Sequence, residues 1–189
     1  MKLILILAVL FSQLAFSQVV KDLDGDGKED YVDIDETGMI VCKLSSQNYK
    51  PIESISGFPD ELNSGVQEND SGFEYAVNFM RAGYALQFRY EPKDKQIRLI
   101  GMSRYEFGPA NNDGSGESSV NLLTNNYIGE WNYWDEKNQE LKKIPAIKKK
   151  MFFPKIFLQN PKLMDYFFQY QSDCADWFNA RKKALLSDN

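Results

Sequence analysis

Histidine is absent from this chain of 189 residues. Ser-His-Asp and Cys-His catalysis are therefore excluded, as are the common zinc sites. Cysteine is scarce, with Cys42 and Cys174 the two examples. Long apolar runs are missing after the first 17 residues: no later segment has the roughly 18 consecutive apolar residues of a membrane-spanning helix. Positive charge is the minority sign, with 22 Lys and Arg against 27 Asp and Glu and a net charge of −5. That balance argues against nucleic acid as a partner.

The chain opens MKLILILAVLFSQLAFSQ. Lys2 is a short positive region and Leu3 to Leu10 a dense apolar run. Ala15 and Ser17 occupy the small positions of a cleavage site. This is the pattern of a secretory signal peptide over residues 1–17, too short for a comfortable membrane span. Its removal leaves residues 18–189, of a size for one domain with a real core. The expected location is periplasmic or secreted. In an oxidising compartment a cysteine pair favours a disulfide, so a Cys42–Cys174 bridge is expected. Closing a loop of about 130 residues, it would contribute at most about 5 kcal/mol in the chain-entropy picture.

Aromatic residues are plentiful, with 13 Phe, 10 Tyr and 3 Trp. Most lie in alternating segments. "DYVDIDETGMIVCKL" reads as a hairpin about an ETG turn. "NYKPIESI" reads as a short strand kept at an edge by Pro51. Gly57 to Gly72 reads as a loop. "FEYAVNFM", "YALQFRYEP", "QIRLIGMSRYEF", "SVNLLT", "YIGEWNYW" and "ELKKIPAIKKK" follow as strands. From Pro161 the period changes to three and four, with Leu163, Tyr166, Phe167, Tyr170, Cys174, Trp177 and Phe178 on one stripe. The expected fold is mainly β, an antiparallel sheet or barrel-like body, closed by a C-terminal α-helix over about 161–186 (α+β).

Residues 22–30 read "DLDGDGKED". An EF-hand-type loop supplies oxygens to calcium from positions 1, 3, 5, 7, 9 and 12. Asp22, Asp24 and Asp26 fall at the first three. Lys28, at position 7, would offer its backbone carbonyl, and Asp30 and Asp33 fall at 9 and 12. Gly25 and Gly27 allow sharp turns. So many carboxylates so close together repel unless a cation lies among them, which favours Ca²⁺ over a solvated acidic turn. Magnesium suits the loop less, because it keeps more of its water. "NNDGSGESS" is a weaker echo at Asn111, Asp113, Ser115, Gly116 and Ser119.

The stretch resembles the calcium loop of FG-GAP or VCBS-type repeats, in which a strand follows at once. It also resembles the dockerin or EF-hand loop, in which a helix follows. The alternation in "YVDID" favours the first, and the strand would then carry Asp33 away from the ion. The likeness covers roughly 15 residues, and a single clear copy implies no propeller. A looser resemblance, in the order of signal peptide, calcium loop and strands, is to small periplasmic immunity proteins and inhibitors of lysozyme-like hydrolases.

Three functions follow as expectations. The first is a non-catalytic calcium-binding protein that binds another periplasmic or secreted protein. The second is a carbohydrate- or cell-wall-glycan-binding module using the aromatic row Tyr127, Trp131 and Tyr133, by stacking on sugar rings. The third is a carboxylate-based hydrolase, for which no acid pair stands out by spacing. Lys142, Lys143, Lys148, Lys149, Lys150 and Lys155 form a local basic run. It reads as an edge strand protected against sheet pairing, or as a surface for an acidic partner or lipid head groups.

Overall fold

The computed structural model describes residues 18–55 and 64–187. The expected leader, residues 1–17, lies outside them, as do residues 57–63 of the expected loop. The described chain forms two antiparallel sheets and one C-terminal helix, a mainly β, α+β arrangement.

The smaller sheet holds β1 (Val19–Lys21), β2 (Asp30–Ile34), β3 (Ile40–Lys43) and β4 (Pro51–Glu53), paired in that order. The expected hairpin is β2–β3, with Val32 opposite Cys42 and Ile34 opposite Ile40. Its turn is held by Asp35, whose Oδ1 accepts the Thr37 and Met39 N–H groups. Pro51 does stand on an edge strand, where its missing N–H costs the ladder nothing. β1 was not expected. It pairs with β2, Lys21 opposite Asp30, so the aspartate loop is itself the connection of a hairpin.

The larger sheet holds β5 (Ser64–Asn69), β6 (Gly72–Asn78), β7 (Ala82–Glu91), β8 (Gln96–Glu106), β9 (Gly116–Asn121), β10 (Asn126–Asp135), β11 (Glu140–Lys143) and β12 (Ile147–Lys150). β5 to β10 pair in sequence, and β10 then pairs with both β11 and β12. β5 corrects the loop expected there. Its sequence, SGVQEN, buries one large apolar side chain, Val66, and so gives little periodic signal.

Alternation along these strands sends Phe73, Tyr75, Leu86, Phe88, Met102 and Val120 to one face, where all are buried. The helix α1 (Leu163–Ser187) packs on that face. The Phe167 ring meets Tyr84 at 4.4 Å, and Trp177 meets Tyr127 edge-on at 4.7 Å. Leu163, Phe167, Tyr170 and Cys174 form its buried stripe. Asn160 prepares the helix start: its Oδ1 accepts the Lys162 N–H and its backbone carbonyl the Leu163 N–H. Arg181, Lys182 and Lys183 precede the last turn rather than completing it.

The expected disulfide is absent. Cys42 and Cys174 are free, buried thiols. Cys42 packs in the small sheet between Val32 and Ile52 on the neighbouring strands, whereas Cys174 lies on the helix with its Sγ 3.6 Å from Ser118 Oγ of β9. Burial, with Asp30 and Asp24 nearby, pushes the Cys42 thiol up to about 12, so it stays protonated at neutral pH. Among the described residues, no helix is long and apolar enough to cross a membrane.

Candidate metal site on the first hairpin loop

Asp30 anchors the loop from below. It begins β2 and is fully buried. Its Oδ2 accepts the backbone N–H of Leu23 at 2.8 Å and of Asp24 at 3.3 Å. Its Oδ1 accepts the Ser45 N–H at 2.7 Å, from a 3₁₀ turn spanning Ser45–Gln47. A buried carboxylate needs such partners to replace lost water.

Asp22 is exposed at the other end of the loop. Its two oxygens accept the Gly25 and Gly27 N–H groups, at 2.8 and 2.9 Å. Those bonds require the chain to curl back on itself. Gly25 and Gly27 both have φ of +82°, in the left-handed region that glycine enters without strain. Asp24 accepts the Asp26 N–H on Oδ1, and its Oδ2 bonds the Ser46 hydroxyl.

The outcome is convergence. One carboxylate oxygen from each of Asp22, Asp24 and Asp30 lies within 4.8 Å of the other two. Two oxygens bound to one calcium at about 2.4 Å can be no more than about 4.8 Å apart, so this spacing fits a shared ion. Each carboxylate oxygen has two lone pairs, so an oxygen that accepts one hydrogen bond keeps one for a metal, as those of Asp22 and Asp24 and the Oδ1 of Asp30 do; Asp30 Oδ2, with two N–H groups, keeps none. The donors are all hard oxygens, which suits calcium rather than a soft transition metal.

Of the other expected carboxylates, Asp26 and Asp33 fall outside this convergence, which concerns side-chain oxygens and does not bear on the backbone carbonyl expected of Lys28. Asp26 turns to the 3₁₀ segment, its Oδ2 accepting the Ser45 hydroxyl at 2.7 Å and its Oδ1 the Lys28 N–H at 2.9 Å. Lys28 is exposed. Asp33 is carried off by β2, pairs across to Val41, and accepts the Ile34 N–H with its own carboxylate. The strand that follows Asp30 accounts for this: in a helical loop, position 12 would return to the ion. Ser45 and Ser46 were missed. They come about 20 residues later and carry no pattern, yet both brace the loop through hydroxyls.

The echo at Asn111–Ser119 has another task. Asp113 pairs with Lys182 on α1 at 2.7 Å and accepts the Trp134 N–H at 2.7 Å. Partial burial alone would raise its pKa, but the Lys182 and Trp134 bonds outweigh this and hold it below the usual carboxylate range. Ser115 bonds to Asn132 instead. This loop fastens the sheet to the helix.

The aromatic row is core. Tyr127, Trp131 and Tyr133 are each at most 4% exposed, and Trp131 lies between the Phe178 ring and the Arg104 guanidinium. Trp131 therefore offers no platform for a sugar. The lysines of β11 and β12 flank β10, as an edge reading expects. On β11, Lys142 meets Asp135 and Glu140 and Lys143 meets Glu130; on β12, Lys150 donates to the Thr124 carbonyl and to Asn126; and beyond β12, Lys155 meets Asp94. The strongest of these holds Asp135 well below, and Lys142 above, their ordinary ranges.

Among known proteins, no family model, no curated sequence and no solved structure matches this chain.

Proposed function

We propose that this is an exported, non-catalytic calcium-binding protein that acts by binding another protein, as an inhibitor or immunity protein does. The convergence of Asp22, Asp24 and Asp30 on one hairpin loop is the observation that carries the calcium reading. The ion would cancel the repulsion among the three carboxylates and fix the β1–β2 connection against the Ser45–Gln47 turn. Its role is structural: Asp30 is both a ligand and the buried anchor of the loop.

The binding reading is supported by where the chain leaves surface free. Helix α1 covers one face of the large sheet, while the opposite face carries an open groove. A hydrolase would set one carboxyl apart from water as an acid. Of the acids on this open face, Glu117 and Glu130 stand in solvent, and Glu74, half-buried, is hydrogen-bonded by the Gln67 and Gln87 amides rather than set apart in an apolar pocket.

Melting the protein with and without calcium tests the structural role. For an extracellular-type site with Kd near 10⁻⁴–10⁻³ M, about 10 mM calcium should stabilise by about 1.4–2.7 kcal/mol. For a chain of this size that is a rise of about 3–10 °C. A wild-type melt indifferent to calcium and to chelator would refute the reading.

A further inference from the structure

The open face of the large sheet carries a groove of about 970 Å³. Its floor is a single row of small side chains crossing the strands. Gly65, Ala76, Ala85, Ser103 and Ser119 are successive cross-strand partners on β5 to β9, and Ile128 on β10 ends the row. Six strands about 4.8 Å apart make this row about 24 Å long, the length of an extended segment of about seven residues. Gln18, just before β1, and Val20 of β1 also line the groove. Lys21 holds β1 there, its ammonium donating to the Asn69 carbonyl.

Acids line both banks. Glu74 stands on one, steadied by the Gln67 and Gln87 amides. On the other, Glu117 and Glu130 are direct cross-strand partners. Like charges so placed, with Cβ atoms about 5 Å apart, destabilise a sheet. Arg104, the one cationic residue among the described residues that line the groove, directs its guanidinium through to the helix side, over Trp131 and toward the Gln171 carbonyl. Lys143 reaches Glu130 at 3.4 Å from outside the groove.

An apolar tip stands beyond the bank that carries Glu117 and Glu130, beside β6 to β8. Asn78 and Tyr105 line the groove and are hydrogen-bonded to each other. Beyond them the β6–β7 turn presents Phe79 and Met80, and the chain after β8 presents Phe107, whose ring lies 5.5 Å from Tyr105. Met80 is 94% exposed. Arg81 braces this tip by donating to the carbonyls of Phe107, Gly108 and Pro109. Phe79 leans back on the buried Tyr84 ring, but Met80 and Phe107 stand largely in water, a contact surface rather than a folding need.

We infer that this groove and tip form the protein-binding surface, and that the partner supplies an extended cationic segment. Its Lys or Arg side chains would lie between Glu74 and the Glu117–Glu130 pair, with aliphatic stems on the small floor and an apolar residue against Met80 and Phe107. The inference rests on the protein-binding reading above and gives it a surface and a partner chemistry.

The probe is an end-blocked peptide, KSKFKSK, titrated into ¹⁵N-labelled protein in about 5 mM calcium, which fills the aspartate loop. The expected amide shifts fall on β6–β10, at Ser103, Ser119 and Ile128. Glu117→Gln with Glu130→Gln should weaken binding at least about tenfold, a difference of about 1.4 kcal/mol, without lowering the melting temperature. The charge-matched control Glu36→Gln with Glu53→Gln should bind like wild type. Met80→Ser should erase the advantage of KSKFKSK over KSKSKSK. Equal weakening in the control, or shifts centred on residues 22–30, would overturn the groove. A partner protein that still binds the Glu117→Gln, Glu130→Gln chain would also overturn it, while leaving the protein-binding reading in place.

Discussion

Replacing Asp30 by alanine should destabilise the protein even when no calcium is present. The carboxylate is buried and accepts three backbone N–H groups, from Leu23, Asp24 and Ser45. The Ser45 N–H is buried, so its loss of a partner costs about 2 kcal/mol. The Leu23 and Asp24 bonds are partly buried, share one oxygen, and can be partly replaced by water, at about 1 kcal/mol each. The sum is about 4 kcal/mol, or about 8–16 °C in melting temperature for a chain of this length. Asp22→Ala is the comparison. It removes the same charge from the same cluster, but its bonds to Gly25 and Gly27 are exposed, so about 1 kcal/mol or less is expected in chelator. Scanning calorimetry of both variants and wild type in chelator separates the two. An Asp30→Ala melt within about 3 °C of wild type would show that the loop is not anchored this way.

Thiol titration of the unreduced protein should find two reactive cysteines after denaturation and essentially none before; zero in denaturant would restore the Cys42–Cys174 bridge. Phe167→Ala should cost about 3–5 kcal/mol in urea unfolding, because its ring is 1% exposed and lies against Tyr84; a cost under about 1 kcal/mol would mean that the helix is not docked as described. Lys182→Met should destabilise by about 1 kcal/mol at neutral pH, since the Asp113 pair is only partly shielded from water. Asp113 has a lowered pKa in the fold, so its contribution is present above its ordinary value near 3.9 and is lost as pH falls through the folded value. The wild-type and Lys182→Met stability curves should therefore converge once the pH has fallen through the lowered Asp113 value, and a gap that persists in still stronger acid would assign the effect to packing instead.

Legibility from the sequence followed apolar periodicity. The β2–β3 hairpin, the long strands of the large sheet and the helix all have large side chains at regular spacing, and they stand where expected. β5 escaped because it buries little, and β1 because three residues cannot show a period. The aspartate loop could be read because glycine and aspartate at fixed offsets have a local physical meaning. Its completion could not: Ser45 and Ser46 reach it through tertiary packing. Asp26 fits the spacing of a ligand but spends its oxygens on Ser45 and Lys28. The aromatic row on β10 was visible, but which side of that strand α1 would cover depends on the whole sheet. The groove was hidden for a related reason. Its floor is built of glycine, alanine and serine, which carry no signal along any one strand and align only when six strands are paired.

Isothermal titration of the protein with calcium, for wild type and for Asp22→Asn with Asp24→Asn, addresses the metal site most directly. Wild type should take up one ion per chain, and the double variant, which keeps the Asp30 anchor and hence the fold, should take up none in the same range. Wild-type uptake by the double variant, or no uptake by wild type, would show that the converging carboxylates are not a calcium site.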